Sequence, residues 1–322
     1  SLPPSLAGDT LDDANFAIDT ANASILALFV EEAWVREVIA DAGGLRTGPD
    51  PAAAFFDAAF ENEMNRLMAS TTENFLKMMF RDGLKSGFYD FQIARDAYRE
   101  WSGKTGIPMR QDLLFRFIEW QCIQLAPITP HWSEHVWELL GKDGLVIDAS
   151  WPSPAPEDVA MTQSYAFLKE TLRSFRLALL KAPKDETKAR AYVTAGYMGA
   201  EKAALEALRE IYTANSSSFP PNTLVLVKER LVAKEQYQKE VKNVMKFAAL
   251  RQQEVKTLGA DALEDSLAYD QKAILETNLD YITKSLGLAE LSLHDPSDPA
   301  APGPADKKKT SKPGKPSIFH YK

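Results

Sequence analysis

Apolar residues recur every three to four positions through most of this chain, the period of an amphipathic helix rather than of a strand. Phe16, Ile25, Leu26, Leu28, Phe29, Trp34, Val35 and Ile39 mark a first helix. Asp12 and Asp13 open it, since acids favour a helix N-terminus. Gly43 and Gly44 end it, and GPDP at 48–51 forms a link. A second helix follows through Phe55, Phe56, Phe60, Met64 and Leu67. Ser70 with Glu73 fits a capping box, which predicts a third helix running to about Arg99. A fourth covers 111 to about 125. Pro127 and Pro130 then stop one helix and start the next, because proline fixes φ and lacks a donor. That fifth helix, 131–140, should end on a left-handed Gly141.

Beyond Trp151 and Pro152 the texture changes. Pro152, Pro154 and Pro156 make a stiff connector before a long amphipathic helix at about 157–180. ARAYVTA at 189–195 has the β-branched and aromatic signature of a short strand, and AELSLH at 289–294 is a second candidate able to pair with it. Helices are predicted between them at 201–214, 224–232, 234–257 and 267–285. The expected class is mainly α: a helical bundle over 1–150, then a small α+β module over 151–294. Residues 295–316, rich in Pro, Ala, Lys and Ser, read as a flexible linker. SIFHY at 317–321 reads as the start of a further, truncated element.

Length and composition support two domains: 322 residues at 45% hydrophobic content can bury full cores. A single cysteine, Cys122, excludes a disulfide framework and suits a reducing compartment. No apolar run reaches the roughly 18 residues of a membrane span. SLPPSLAGDT has no signal-peptide pattern, and a start at Ser1 suggests a fragment. The net charge of -8 is unevenly placed: residues 1–66 hold twelve acids and three bases, leaving +1 for the rest. Basic stripes able to meet a polyanion are therefore compatible with the acidic total.

Three such stripes stand out. Arg81, Lys85, Arg95 and Arg99 fall within about a quarter of one helical circumference if the helix is regular. Asp82, Asp90 and Asp96 could pair with them across one turn instead. Lys239, Lys242 and Lys246 form a second stripe, with Lys228, Arg230 and Lys234 before it. The third is Lys307 to Lys309 with Lys312 and Lys315. Each is a candidate phosphate-contacting surface or a solvated face. His131, Glu134 and His135 match an H-x-x-E-H zinc pattern, but a third ligand is not evident and packing or capping is the simpler role. No metal and no catalytic residue is assigned.

LAPITPHWSEHVWELLG (125–141) followed by ASWP (149–152) resembles the end of the anticodon-binding helical bundle of class I aminoacyl-tRNA synthetases of the Leu/Ile/Val/Met group. DDANF (12–16), FENEM (60–64) and FRDGLKSGFYDFQIARDAYR (80–99) are similar to the cytosolic, eukaryotic and archaeal-type leucyl-tRNA synthetases. So are ARAYVTAGY (189–197), YDQKAILETNLDYITKSLGL (269–288) and PGKPSIFHY (313–321). The resemblance spans nearly the whole chain. It implies a tRNA-binding and positioning tail, with tRNA-Leu and the synthetase's catalytic core as partners, in the cytoplasm and without a membrane. The parent reaction it implies is ATP-dependent esterification of leucine to tRNA, with ATP and Mg as that enzyme's cofactors. The family's His-x-Gly-His and Lys-Met-Ser-Lys-Ser signatures and its editing domain are absent from these 322 residues. The chain alone is therefore expected to hold no cofactor and to be inactive. The alternative is a protein–protein interaction module, supported by the acid excess before residue 67.

Overall fold

A computed structural model describes residues 18–322, which divide between Tyr165 and Ala166 into two compact units. The division falls inside a helix rather than at the proline-rich connector near residue 150. Asp12 and Asp13 lie outside the described residues.

Among the described residues, the regular elements of the first unit are helices. Helix α1 (Ile18–Ala40) is followed by α2 (Ala54–Leu76), α3 (Phe80–Leu84), α4 (Phe91–Thr105), α5 (Gln111–Leu125) and α6 (Pro130–Leu139). Ser70 does not cap a new helix; it lies inside α2, because Leu67, Met68 and Thr71 continue that helix's buried face. The hydroxyls of Thr71 and Thr72 bond back to the carbonyls of Leu67 and Met68, each at 2.8 Å. The actual break comes at Met78, whose φ of 58° turns the chain. A second departure is a π-helical segment at Lys85–Asp90 between α3 and α4. A π-turn inserts about one residue, so positions after it rotate by roughly 100° relative to those before it.

Aromatic rings fill the bundle's centre. Phe56 stacks on Trp101 at 5.0 Å, Phe60 on Tyr98 at 4.8 Å and Phe91 on Phe117 at 4.6 Å. Pro130 occupies the first turn of α6, as its fixed φ allows, and Gly141 beyond the helix takes φ 67°.

A long helix, α7 (Val159–Leu179), leads into the second unit. There β1 (Lys188–Tyr192) is followed by α8 (Gly199–Ala214), α9 (Thr223–Val232), α10 (Val241–Leu258), α11 (Gln271–Thr277) and α12 (Leu279–Leu286). The chain ends with β2 (Glu290–His294), α13 (Ala305–Thr310) and β3 (Ser317–Tyr321). Helices α8, α9 and α10 share one core of Ala204, Leu208, Ile211, Val227, Leu231 and Ala248. The sheet order is β2-β1-β3, with β1 parallel to β2 and antiparallel to β3.

The tail differs from its sequence reading. Residues 295–316 contain α13, and Ser311 is buried with its hydroxyl on the Tyr192 carbonyl at 2.7 Å. Residues 317–321 are an edge strand of the module's own sheet, pairing from Lys188↔Tyr321 to Tyr192↔Ser317. Local composition hides this, because the partner strand lies more than a hundred residues upstream.

Candidate nucleic-acid interface

The four basic residues of the bundle do not form one stripe. Arg81 lies before the π-turn and Lys85 is its first residue, both exposed, whereas Arg95 and Arg99 come after it and are rotated away. Arg95 is buried. Its guanidinium donates to Glu31 of α1 at 2.5 Å, bonds Asp96 at 3.0 Å and lies 4.1 Å from the ring centroid of Trp34. Its side chain is 7% exposed, so the expected phosphate contact is withdrawn for this residue. Burial holds the Glu31 carboxyl above the usual carboxylate range, and the Arg95 charge opposes that shift. Arg99 is exposed and 3.4 Å from Asp96, the pairing that the acid spacing allowed.

The zinc-like motif is committed elsewhere. His135 faces Arg36 at 2.8 Å and Glu32 at 3.2 Å, tying α6 to α1. Glu134 accepts the Val146 N–H at 3.1 Å. Among the described residues, no group of three or more His, Cys, Asp or Glu side chains could hold a metal. Cys122 is buried, which pushes its thiol far above the neutral range and keeps it protonated.

The second unit presents its lysines differently. Lys242 and Lys246 lie four residues apart on the exposed face of α10, one above the other. Lys239 is exposed too, but sits in the turn just before α10 rather than on the helix. None of the three has an ion-pair partner among the described residues. Glu240, Asn243 and Val244 of that helix start line a groove of about 470 Å³, together with Lys308, Lys309 and Lys312. Lys242 and Lys246 turn toward the other side of α10 from this groove-lining face, so the groove gathers the third stripe alone, beside Glu201 and Glu240. Within the third, Lys312 pairs with Glu201, and Lys308 donates to the Ala301 carbonyl. Sequence spacing gave no sign that the third stripe meets the start of α10, since this depends on the 295–316 segment folding back toward α8 and α10.

Residues 57–192 match the family model described as the anticodon-binding domain of tRNA ligase. The chain is 36% identical over 303 residues to the cytoplasmic leucine--tRNA ligase of Pongo abelii, covering 89% of this chain and 25% of the relative. With the Arabidopsis thaliana protein of the same name it is 34% identical over 314 residues, or 91% of this chain and 28% of that protein. The Saccharomyces cerevisiae cytoplasmic leucine--tRNA ligase matches at 42% over 172 residues, 53% of this chain and 15% of the relative. The chain thus spans about a quarter of the length of the first two. The matched relatives are cytoplasmic by name, and no described helix is long and apolar enough to cross a membrane. Residues 57–192 thus carry the anticodon-binding domain of tRNA ligases, and about 90% of the chain is similar to a part of the cytoplasmic leucine--tRNA ligases.

Proposed function

We propose that this chain binds and positions tRNA-Leu for a cytoplasmic leucine--tRNA ligase whose catalytic core lies outside these 322 residues. The parent reaction is the ATP-dependent joining of leucine to tRNA, and ATP and Mg belong to that core. The observation that carries the proposal is the set of lysines around α10. Lys239, Lys242 and Lys246 are exposed and have no carboxylate partner among the described residues. Unneutralised cations at one-turn spacing suit a phosphate backbone, because binding releases condensed counterions without needing a base sequence. Arg81, Lys85 and Arg99 form a weaker auxiliary surface, with Arg99 held by Asp96. The anticodon-binding domain at 57–192 and the similarity to leucine--tRNA ligases favour this reading over a protein-interaction module.

Filter binding of leucine tRNA to the chain across a salt series tests the proposal. Binding at low salt that weakens steadily as salt rises supports it. An absence of binding at low salt contradicts it.

A further inference from the structure

The three-stranded sheet keeps one face partly open. Strand alternation turns Ala189, Ala191, Leu291, Ile318 and His320 inward, each 6% exposed or less. The opposite face carries Lys188 and Arg190 on the central strand, Phe319 and Tyr321 on β3, and Ser292 on β2, all partly exposed. Residues 302–303 cover its Tyr192 end, where the Tyr192 hydroxyl donates to the Pro302 carbonyl at 2.8 Å and Gly303 approaches both Tyr192 and Phe319.

The side chains on that face are layered. The Arg190 guanidinium lies 4.0 Å from the Tyr321 ring centroid. The Phe319 and Tyr321 rings are nearly parallel, at 11°, with centroids 6.4 Å apart. Arg190 has no carboxylate partner among the described residues; the one acid in register on this face is Glu290, opposite Lys188. Ser292 and His294 bond each other at 2.9 Å. A flat surface with two aromatic rings, a stacked guanidinium and a further lysine is poorly suited to a duplex, which hides its base faces. It suits nucleotides whose bases are splayed out, since rings and guanidinium planes take bases while cations meet phosphates.

We infer that this sheet face is a stacking platform for one or two unpaired RNA nucleotides. The inference rests on the tRNA-binding reading but uses a surface separate from the α10 lysines, and it names unpaired nucleotides as the element bound there. Phe319 and Tyr321 stack on bases, and Arg190 and Lys188 hold the adjoining phosphates.

The test uses the intact chain and two probes at low salt: an unstructured oligouridylate nonamer carrying one 2-aminopurine, and a blunt RNA duplex of equal length. The nonamer should bind with quenching of 2-aminopurine fluorescence. Phe319→Leu and Tyr321→Leu, which keep apolar bulk in a strand, should each weaken nonamer binding about tenfold and relieve the quenching, leaving duplex binding and the salt slope unchanged. Wild-type nonamer affinity in both variants overturns the platform, and so does binding without quenching. The quenching in the unsubstituted chain reports stacking even if a variant fails to fold. If tRNA binds but the nonamer does not, the platform falls and the tRNA reading stands. If neither binds, both fall.

Discussion

Arg95 donates to Glu31 at 2.5 Å from one bundle helix to another, with Gln92 adding a second donor to the same carboxylate at 2.7 Å. The pair is buried on both sides, and Trp34 covers the guanidinium. An arginine that looked like an RNA contact is thus a structural strut. Removing one member strands the other charge in the interior, which costs about 3–5 kcal/mol. Arg95→Gln should therefore lower the melting temperature of the first unit by roughly 10 °C, read by circular dichroism. At temperatures where the variant is folded, its tRNA affinity should match the unsubstituted chain. A variant that melts normally but loses tRNA would return Arg95 to the interface.

Gly87 sits in the π-turn with no room for a side chain. A Cβ there would lie 2.8 Å from the Gln124 amide oxygen and 2.9 Å from a Thr71 methyl. Gly87→Ala should destabilise the bundle by about 1–3 kcal/mol, because both neighbours are buried and cannot yield freely. Chemical denaturation with an unchanged midpoint would show that the π-turn can relax.

What the sequence made legible follows from how local each signal is. The Pro130 start and the Gly141 stop depend on neighbouring backbone alone, and both appear as expected. The alternation in ARAY and ELSLH is likewise local, and it marks β1 and β2 to within a few residues. The π-turn is not encoded in the apolar period, so a regular-helix projection grouped Arg81 and Lys85 with Arg95 and Arg99. The pairing of β3 with β1, and the meeting of Lys309 with the start of α10, are long-range contacts that spacing does not carry.

The edge strand gives a direct test of the corrected tail. Ile318 and His320 on β3 face Ala191 and Ala189 across the register, and both alanines are fully buried. Ending the chain after Pro316 would bare the β1 edge and uncover those alanines. Limited proteolysis should then cut the second unit rapidly within 180–200, while the first unit stays resistant. Equal protection with and without 317–322 would make the strand dispensable.

Two histidines predict an acid sensitivity in the same unit. Burial lowers His320 below the ordinary imidazole value, with Glu186 opposing and Lys307 reinforcing. Burial also lowers His294, helped by Arg190 and Lys308 and opposed by Asp298. With folded pKa values below 6.5, the unfolded chain takes up protons that the folded chain refuses. Stability is therefore complete above about pH 6.5 and declines as pH falls through the folded values. His320→Asn should flatten the fall in melting temperature between about pH 7 and pH 5. An unaltered slope would remove His320 from this account.

We propose that unpaired lysines of the second unit, rather than the bundle's arginines, grip the tRNA. The most direct measurement compares leucine-tRNA binding by Lys242→Glu/Lys246→Glu with that by Lys85→Glu/Arg99→Glu, both across a salt series. The α10 double reversal should cut affinity by about tenfold or more and reduce the slope of log affinity against log salt by about 2, close to one unit per lost phosphate contact. The bundle double reversal should have a smaller effect, because Arg99 is already held by Asp96. Full affinity and an unchanged salt slope in the α10 variant, with loss in the bundle variant, would contradict the account.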